Sequence, residues 1–243
     1  MNQQTLTILH NTPLAPGVFR LVLKGLSVAE PLRPGQFVNI QIPGVFLRRP
    51  ISVCDREGET LTLIYKVVGE GTRLLSEMTP GRQLNVLTGL GTAYDLSVSG
   101  ASPLLIGGGV GIPPLYFLAK ELLFRGIRPQ VLLGFNKAEE LFMTEEFAAL
   151  GANVTVTTLD GSAGRQGFVT EHLSQDTSFF YACGPLPMLK ALCKATSLPG
   201  QLSLEERMGC GFGACMGCSI QTAAGPKRVC KDGPVFHREV LGW

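Results

Sequence analysis

The sequence predicts a multi-domain chain of β and then α/β character: an antiparallel β-barrel, a parallel-sheet domain, and a small cysteine-bearing module at the C-terminal end. Three observations carry this expectation. Apolar segments broken by Pro and Gly fill the first part of the chain. A regular strand–helix alternation follows. Four of the seven cysteines then fall within the last few dozen residues. The expected divisions are residues 1–98, 99–200 and 201–243.

In the first part, residues 19–23, 36–42 and 60–67 alternate or run apolar. Turns are marked at Pro13, Pro16, Pro34-Gly35, Pro43-Gly44 and Pro80-Gly81. Leu61, Leu63, Tyr65 and Val67 point one way in an extended chain, and Thr62, Ile64 and Lys66 the other. Residues 97–102, rich in serine, read as a linker. Beyond them Leu104-Leu105-Ile106 predicts a buried strand, 114–124 an amphipathic helix, and 131–135 a second strand. Helix is expected over 144–150 and 187–195, strand over 154–158 and 178–183. Residues 201–204 lead into the cysteine module.

Composition narrows the partners. Of 243 residues, 45% are apolar and 16% charged, the balance of an ordered globular protein. A net charge of +2 is too near zero to suggest nucleic acid or an anionic membrane as the main partner. The most apolar stretch, 103–124, is interrupted by Gly107, Gly108, Gly109, Gly111, Pro113 and Pro114 and carries Lys120 and Glu121, so no membrane span is expected. No secretory signal is visible at the N-terminus, and nothing calls for disulfides, so a cytoplasmic location is expected.

The cysteines supply the most specific pattern. Cys210, Cys215 and Cys218 are spaced C-x4-C-x2-C, as in plant-type ligation of a 2Fe–2S cluster, and Cys230 follows eleven residues later. Thiolates are the soft ligands that iron of this kind takes. Gly209, Gly211, Gly213 and Gly217 are expected to adopt φ > 0 and turn N–H groups toward sulfur. The alternatives are a structural zinc site, which usually pairs two short Cys-x2–4-Cys clips where this chain has one, or disulfides.

Other motifs suggest what exchanges electrons with such a cluster. In Arg49-Pro50-Ile51-Ser52, the arginine and the hydroxyl could both face a phosphate across a stiff proline. Ile64-Tyr65-Lys66 is followed by Gly71 and Thr72, which would open a short helix with free N–H groups for a pyrophosphate. Gly107-Gly108-Gly109-Val110-Gly111 follows a strand and precedes a helix, the context of a dinucleotide phosphate loop, although Pro114 holds the last glycine position. Cys183-Gly184-Pro185 ends another strand, where Cys183 could face a nicotinamide. Each has a plainer alternative in a tight turn or a buried thiol. Cys54 and Cys193 read as packing residues. His10, His172 and His237 have no partner pattern, and no nucleophile–base constellation stands out, so no catalytic side chain is assigned.

Taken in order, these motifs resemble the ferredoxin–NADP reductase-like family. Residues 49–52 match its flavin-binding Arg-x-Tyr-Ser motif, 107–113 its nicotinamide phosphate loop, and Cys183-Gly184-Pro185 with Met188 its later Cys-Gly-Pro signature. Residues 203–218 look closely like the electron-transfer subunits of NAD-dependent (type B) bacterial dihydroorotate dehydrogenases. That resemblance spans almost the whole chain. It implies an FAD contacted by Arg49, Pro50, Ile51, Ser52, Ile64, Tyr65, Lys66, Gly71 and Thr72, and NAD as electron acceptor at Gly108, Gly109, Val110, Gly111, Cys183, Gly184 and Pro185. It implies a 2Fe–2S cluster on Cys210, Cys215, Cys218 and Cys230. The partner implied is a separate FMN-containing subunit that oxidises dihydroorotate in pyrimidine biosynthesis, the two subunit types forming a heterotetramer. Electrons would run from that FMN through cluster and FAD to NAD+. The chain departs from the family at Ile51, where many relatives place tyrosine; Tyr65 is the candidate to stack on the flavin instead. Residues 134–139 show no arginine cluster for a 2′-phosphate, which favours NAD over NADP, with Lys137 the one basic residue there. Met208, Phe212 and Met216 are expected near a partner surface. The same grammar would also suit a reductase subunit serving a hydrogenase, a sulfide or sulfur reductase, or an oxygenase. A zinc-stabilised interaction module is the non-enzymatic alternative.

Overall fold

The structure is a computed structural model that describes residues 1–174 and 176–243. Six strands, β1 (Asn2–Ala15), β2 (Val18–Lys24), β3 (Phe37–Gln41), β4 (Arg49–Glu57), β5 (Thr60–Lys66) and β6 (Gln83–Leu90), close into an antiparallel barrel in the order β1-β2-β5-β4-β3-β6. Helix α1 (Glu70–Ser76) lies between β5 and β6. The expected alternation in β5 holds: Leu61, Leu63 and Tyr65 fill the barrel core with Leu6, Leu21, Val38, Ile40 and Val86. Ile64 points the other way yet is buried, because the next domain covers that side. Strand β1 is longer than its polar sequence suggests, and it bends through register shifts near Ile8 and Pro13.

The second domain is built on β7 (Leu104–Gly108), α2 (Pro113–Phe124), β8 (Gln130–Phe135), α3 (Thr144–Ala149), β9 (Asn153–Thr158), β10 (Arg165–Gln166), β11 (Phe180–Cys183), α4 (Leu186–Ala195) and β12 (Gly200–Ser203). With β15 (Val235–His237) these strands form one sheet, ordered β10-β9-β8-β7-β11-β12-β15, parallel but for β15. Helices cover both faces. Residues of α2 and α3 pack on Leu105, Val131, Leu133 and Tyr181, while α4 packs on Leu104, Ile106, Leu132 and Phe180. Strand order reverses beside β7, so the carboxyl ends of β7 and β11 flank the crevice where ligands of such sheets bind.

Residues 97–102 are not the free linker expected. Leu96–Val98 form a single 3₁₀ turn capped by Asp95, which accepts from the Ser97 N–H at 2.9 Å and from its hydroxyl at 2.6 Å. The Tyr181 hydroxyl donates to the Asp95 carbonyl at 2.7 Å, and Ser99 is buried. The sheet also continues across residue 200, since β12 extends it and β15 returns to pair with β12.

Between β12 and β15 lie the hairpin β13 (Ser219–Thr222) and β14 (Gly225–Arg228) and helix α5 (Val229–Asp232); helix α6 (Arg238–Leu241) follows β15. Barrel and sheet share a core, with Val18, Cys54 and Ile64 packed among Leu115, Leu118, Ala119 and Leu122 of α2. Lys120 of α2 donates to both Asp55 oxygens, at 3.0 and 2.9 Å, and to Glu57 at 2.9 Å. Arg20 of β2 pairs with Glu146 of α3. Among the described residues no helix is long and apolar enough to cross a membrane.

Candidate functional site

The cysteine loop begins where β12 ends. Ala214 and Cys215 direct backbone N–H groups at Cys210 Sγ, at 3.2 and 3.4 Å, and the Cys210 N–H points at Cys215 Sγ at 3.4 Å. Burial opposes ionisation of Cys210, but the N–H groups of Phe212, Cys215 and Ala214 outweigh it and bring the thiol down to about 6. Cys218 and Cys230 form a second pair. Register in the hairpin sets Ser219 opposite Arg228, so the chain folds back and leaves the two cysteines at its open end. The Cys230 N–H lies 3.4 Å from Cys218 Sγ. Burial, then the neighbouring Cys218, pushes the Cys230 thiol up to about 12. The eleven-residue spacing is thus the length of a hairpin.

Two of the four glycines depart from expectation. Gly211 (φ +81°) and Gly213 (φ +92°) are left-handed, but Gly209 and Gly217 are not. What they supply is room: a Cβ would stand 3.1 Å from Cys215 Sγ at Gly209 and 3.5 Å at Gly217. Met216 takes a left-handed turn itself, at φ +60°. Of the three apolar residues expected at a surface, Phe212 (44%) and Met216 (54%) are exposed, while Met208 packs against the core.

The geometry fits a two-iron cluster. The four cysteines stand as two pairs, each with an amide directed at sulfur, an arrangement that suits two metal centres. The seven cysteines are unbridged.

Beside this loop lies the outer face of the β3–β4 pair. Phe37 is paired with Ser52, and Asn39 with Pro50, so these four side chains share a face. Phe37 packs into the core that holds Cys218 and Cys230. Arg49 and Ser52 do not converge as expected, because a strand alternates faces and positions three apart point oppositely. Arg49 instead lies over Gly71 of α1, where a Cβ would come within 2.5 Å of its Cζ. The sequence-distant Arg49 and Gly71 are therefore brought together. The Thr72 hydroxyl accepts from the Val68 and Gly69 N–H groups, at 3.0 and 3.3 Å, and donates to the Gly69 carbonyl at 3.0 Å. That side chain shapes the turn; only the backbone N–H groups of the helix start are on offer to a ligand. Tyr65, the expected stacking ring, is 2% exposed, stacks on Phe19 at 5.8 Å and places its hydroxyl 3.0 Å from Asn11 Oδ1. Its ring belongs to the barrel core. Lys66 is exposed and Ile64 buried, so residues 64–66 offer a ligand mainly backbone.

At the crevice the two glycine loops interlock. A Cβ at Gly111 would overlap the Cys183 carbonyl and the Gly184 nitrogen. One at Gly108 or at Gly184 would come within 2.5 Å of Met188. Gly109, at φ +51°, faces open space, and Val110 is half-buried beside it. Burial pushes the Cys183 thiol up to about 12, so it is a neutral group at neutral pH. Pro185 leads into α4. Lys137 is paired with Glu139.

Sequence reasoning missed one residue, Asn39. It is 1% exposed, and its Nδ2 donates to the Cys210 carbonyl at 3.1 Å. A polar residue between Val38 and Ile40 was the available sign, indistinguishable in sequence from a solvent-facing one.

Comparison with known proteins agrees with this geometry. Residues 205–242 match the family model of the iron–sulfur cluster binding domain of dihydroorotate dehydrogenase B, and 105–194 that of the oxidoreductase NAD-binding domain. The chain is 43% identical over 252 residues to the dihydroorotate dehydrogenase B (NAD(+)) electron transfer subunit of Geobacillus sp. (strain WCH70), covering 97% of each chain. It is 42% identical, with the same coverage, to the Fusobacterium nucleatum subunit of that name. A chain from the structure of NADH-dependent reduced ferredoxin–NADP oxidoreductase superposes with a TM-score of 0.88 at 32% identity, covering 98% of this chain and 90% of that one.

Proposed function

This chain belongs to the family of dihydroorotate dehydrogenase B (NAD(+)) electron-transfer subunits, and from that premise we propose that it relays electrons from an FMN-containing catalytic subunit to NAD+ through a 2Fe–2S cluster and FAD. The observation that carries the proposal is the two-pair cysteine geometry set against the outer face of β3 and β4, the strand pair bearing the flavin motif. A bound flavin would join a carrier of hydride to a carrier of single electrons. The chain's own residues place and tune. Cys210 and Cys215 would hold one iron, Cys218 and Cys230 the other. Amides directed at the sulfurs favour the more negative, reduced state.

Arg49 and the first N–H groups of α1 would hold the FAD pyrophosphate. Pro50, Ile51, Ser52 and the backbone of residues 64–66 would bound its ring system. Gly108, Gly109, Val110 and Gly111, ahead of α2, would take the phosphates of NAD. Cys183, Gly184 and Pro185 would lie at its nicotinamide end. The three sites correspond to residues 1–98, 99–200 and 201–243. Lys137 is paired with Glu139 at the surface, and the absence of an arginine from residues 134–139 supports NAD over NADP.

An electron-transfer subunit implies a catalytic partner. We assign the partner's docking face to the exposed Phe212 and Met216 beside the cluster, in an assembly of two copies of each subunit. Unbridged cysteines and a dependence on NAD support a place in the cytoplasm. The test is anaerobic purification of the chain alone and with its co-purifying subunit. Alone, it should be yellow-brown, contain iron and acid-labile sulfide, and oxidise NADH with artificial acceptors but not dihydroorotate. Turnover of dihydroorotate by the isolated chain would refute the two-subunit reading. Its 32% identity to a ferredoxin–NADP oxidoreductase chain keeps a second reading, service to a different redox partner, which the identity of the co-purifying subunit decides.

A further inference from the structure

We infer that Asn39 is a positioning residue of the cluster, a clamp that ties the Cys210 end of the loop to the flavin-bearing strand pair and helps set the cluster's potential. The inference rests on the reading above that Cys210 binds iron. Asn39 sits in the middle of β3 with Val38 and Ile40 turned into the barrel on either side. Its own side chain turns out toward the cysteine loop. Nδ2 donates to the Cys210 carbonyl at 3.1 Å, 171 residues away in sequence. Gly211 follows at φ +81°, and a Cβ there would overlap Nδ2 and stand 3.2 Å from Cγ. The loop therefore closes onto the amide only because position 211 is glycine.

The amide's other half makes the case. Oδ1 is buried and has no hydrogen-bond partner among the described residues. Turning the amide over would set Oδ1 against the Cys210 carbonyl, acceptor to acceptor, so that bond fixes the orientation. An unpaired buried acceptor costs more than an apolar group in its place, while the Nδ2 bond to the Cys210 carbonyl would be lost with the side chain. The barrel thus gains nothing from asparagine here, whereas the loop does. The bond is to the backbone carbonyl of a proposed iron ligand, so it acts by holding Cys210 where the Ala214 and Cys215 amides reach its sulfur, contacts that favour the reduced cluster. Asn39 also shares its face with Pro50 and Ser52 of the flavin motif, so one side chain spans the gap between the two proposed redox sites.

The experiment compares the wild-type chain with Asn39→Leu and Asn39→Ala, both loaded with FAD and cluster. FAD, iron and sulfide contents are measured first. A wild-type chain without iron and sulfide would overturn the cluster reading itself, before Asn39 is in question. With a cluster present, the variants should keep FAD and a cooperative apo melt. Their EPR-monitored midpoint should move to more negative potential, with altered g values, and NADH-driven cluster reduction should slow at least tenfold. An unchanged spectrum, midpoint and rate would overturn the inference. So would loss of FAD in both variants, which would make Asn39 part of the flavin site instead. The alanine variant guards against crowding by leucine.

Discussion

Replacing Gly71 with alanine should separate the stability of the barrel from its hold on FAD, moving the two in opposite directions. Gly71 lies in the first turn of α1, buried, with helical rather than left-handed backbone. An added methyl first meets the Arg49 guanidinium, with Nε nearest, then Cζ at 2.5 Å and Nη2 at 2.6 Å. Against a contact optimum of about 3.5 Å, the group must retreat by roughly 1.3 Å. It can, because it is the end of a flexible side chain whose hydrogen bonds among the described residues go to the Leu47 and Arg48 carbonyls, at 2.6 and 3.5 Å. The helix gains up to about 1 kcal/mol from alanine over glycine. The apo protein should therefore melt at the wild-type temperature or slightly above. FAD binding should suffer, since a charge-assisted bond such as arginine to phosphate is worth about 1.5–3 kcal/mol. That converts to a dissociation constant raised roughly ten- to hundredfold. Titrating apo protein with FAD by fluorescence quenching, beside a thermal melt, measures both. Affinity within twofold of wild type would refute the role given to Arg49, and a melt lowered by about 10 °C would refute the soft obstacle.

Three further outcomes follow from the same geometry. Cys215→Ser should abolish iron, sulfide and long-wavelength absorbance while FAD stays bound; a variant that kept its iron and colour would displace Cys215 from the ligand set. Gly111→Ala drives a methyl into backbone of the Cys183–Gly184 turn, which cannot swing away, so it should cost about 1–3 kcal/mol and raise the KM for NADH; an unchanged melt would show that the two loops part easily. Burial alone would lower the Lys120 pKa, but its bonds to Asp55 and Glu57 outweigh that and raise it. Its stabilising contribution is then complete below the unfolded lysine value of about 10.4 and lost as pH climbs through the higher folded one. Above pH ~10 the wild-type melting temperature should therefore fall more steeply than that of Lys120→Met; parallel curves would remove the clamp.

The sequence showed most of this where chemistry is local. Alternation through residues 60–67 and the Pro-Gly turns mark the barrel because a strand with one buried face must alternate. The cysteine spacing marks the cluster because ligation demands it. What stayed hidden depends on a distant partner. Strand β1 begins Asn-Gln-Gln-Thr and includes His10, Asn11 and Pro13, so its pairing with β2 and β6 was invisible without those neighbours. Ile64 looked like a member of the polar face until α2 covered it. Tyr65 stands beside the flavin motif, but its alternation with Leu61 and Leu63 sends it inward. The return of β15 onto β12 has no local sign in three residues.

One strand pair explains why the three proposed sites need no hinge between them. The inner face of β3 and β4 fills the barrel with Val38, Ile40 and Val53. Its outer face carries Phe37, which packs with Cys218 and Cys230, and Asn39, which holds the Cys210 carbonyl. The start of β4 presents Arg49, Pro50, Ile51 and Ser52, and its far end, Asp55 and Glu57, is gripped by Lys120 of the helix that follows the nucleotide loop. Arg20 and Glu146 add a second tie between barrel and sheet. A core shared by both domains, from Val18 and Ile64 to Leu118 and Leu122, would have to open for them to move apart. Each buried leucine or isoleucine is worth about 1.5–3 kcal/mol, so that opening is costly. Electron transfer among groups on such a frame would work at fixed spacing, with the nicotinamide, proposed for the crevice beside Gly109, as the part that arrives and leaves.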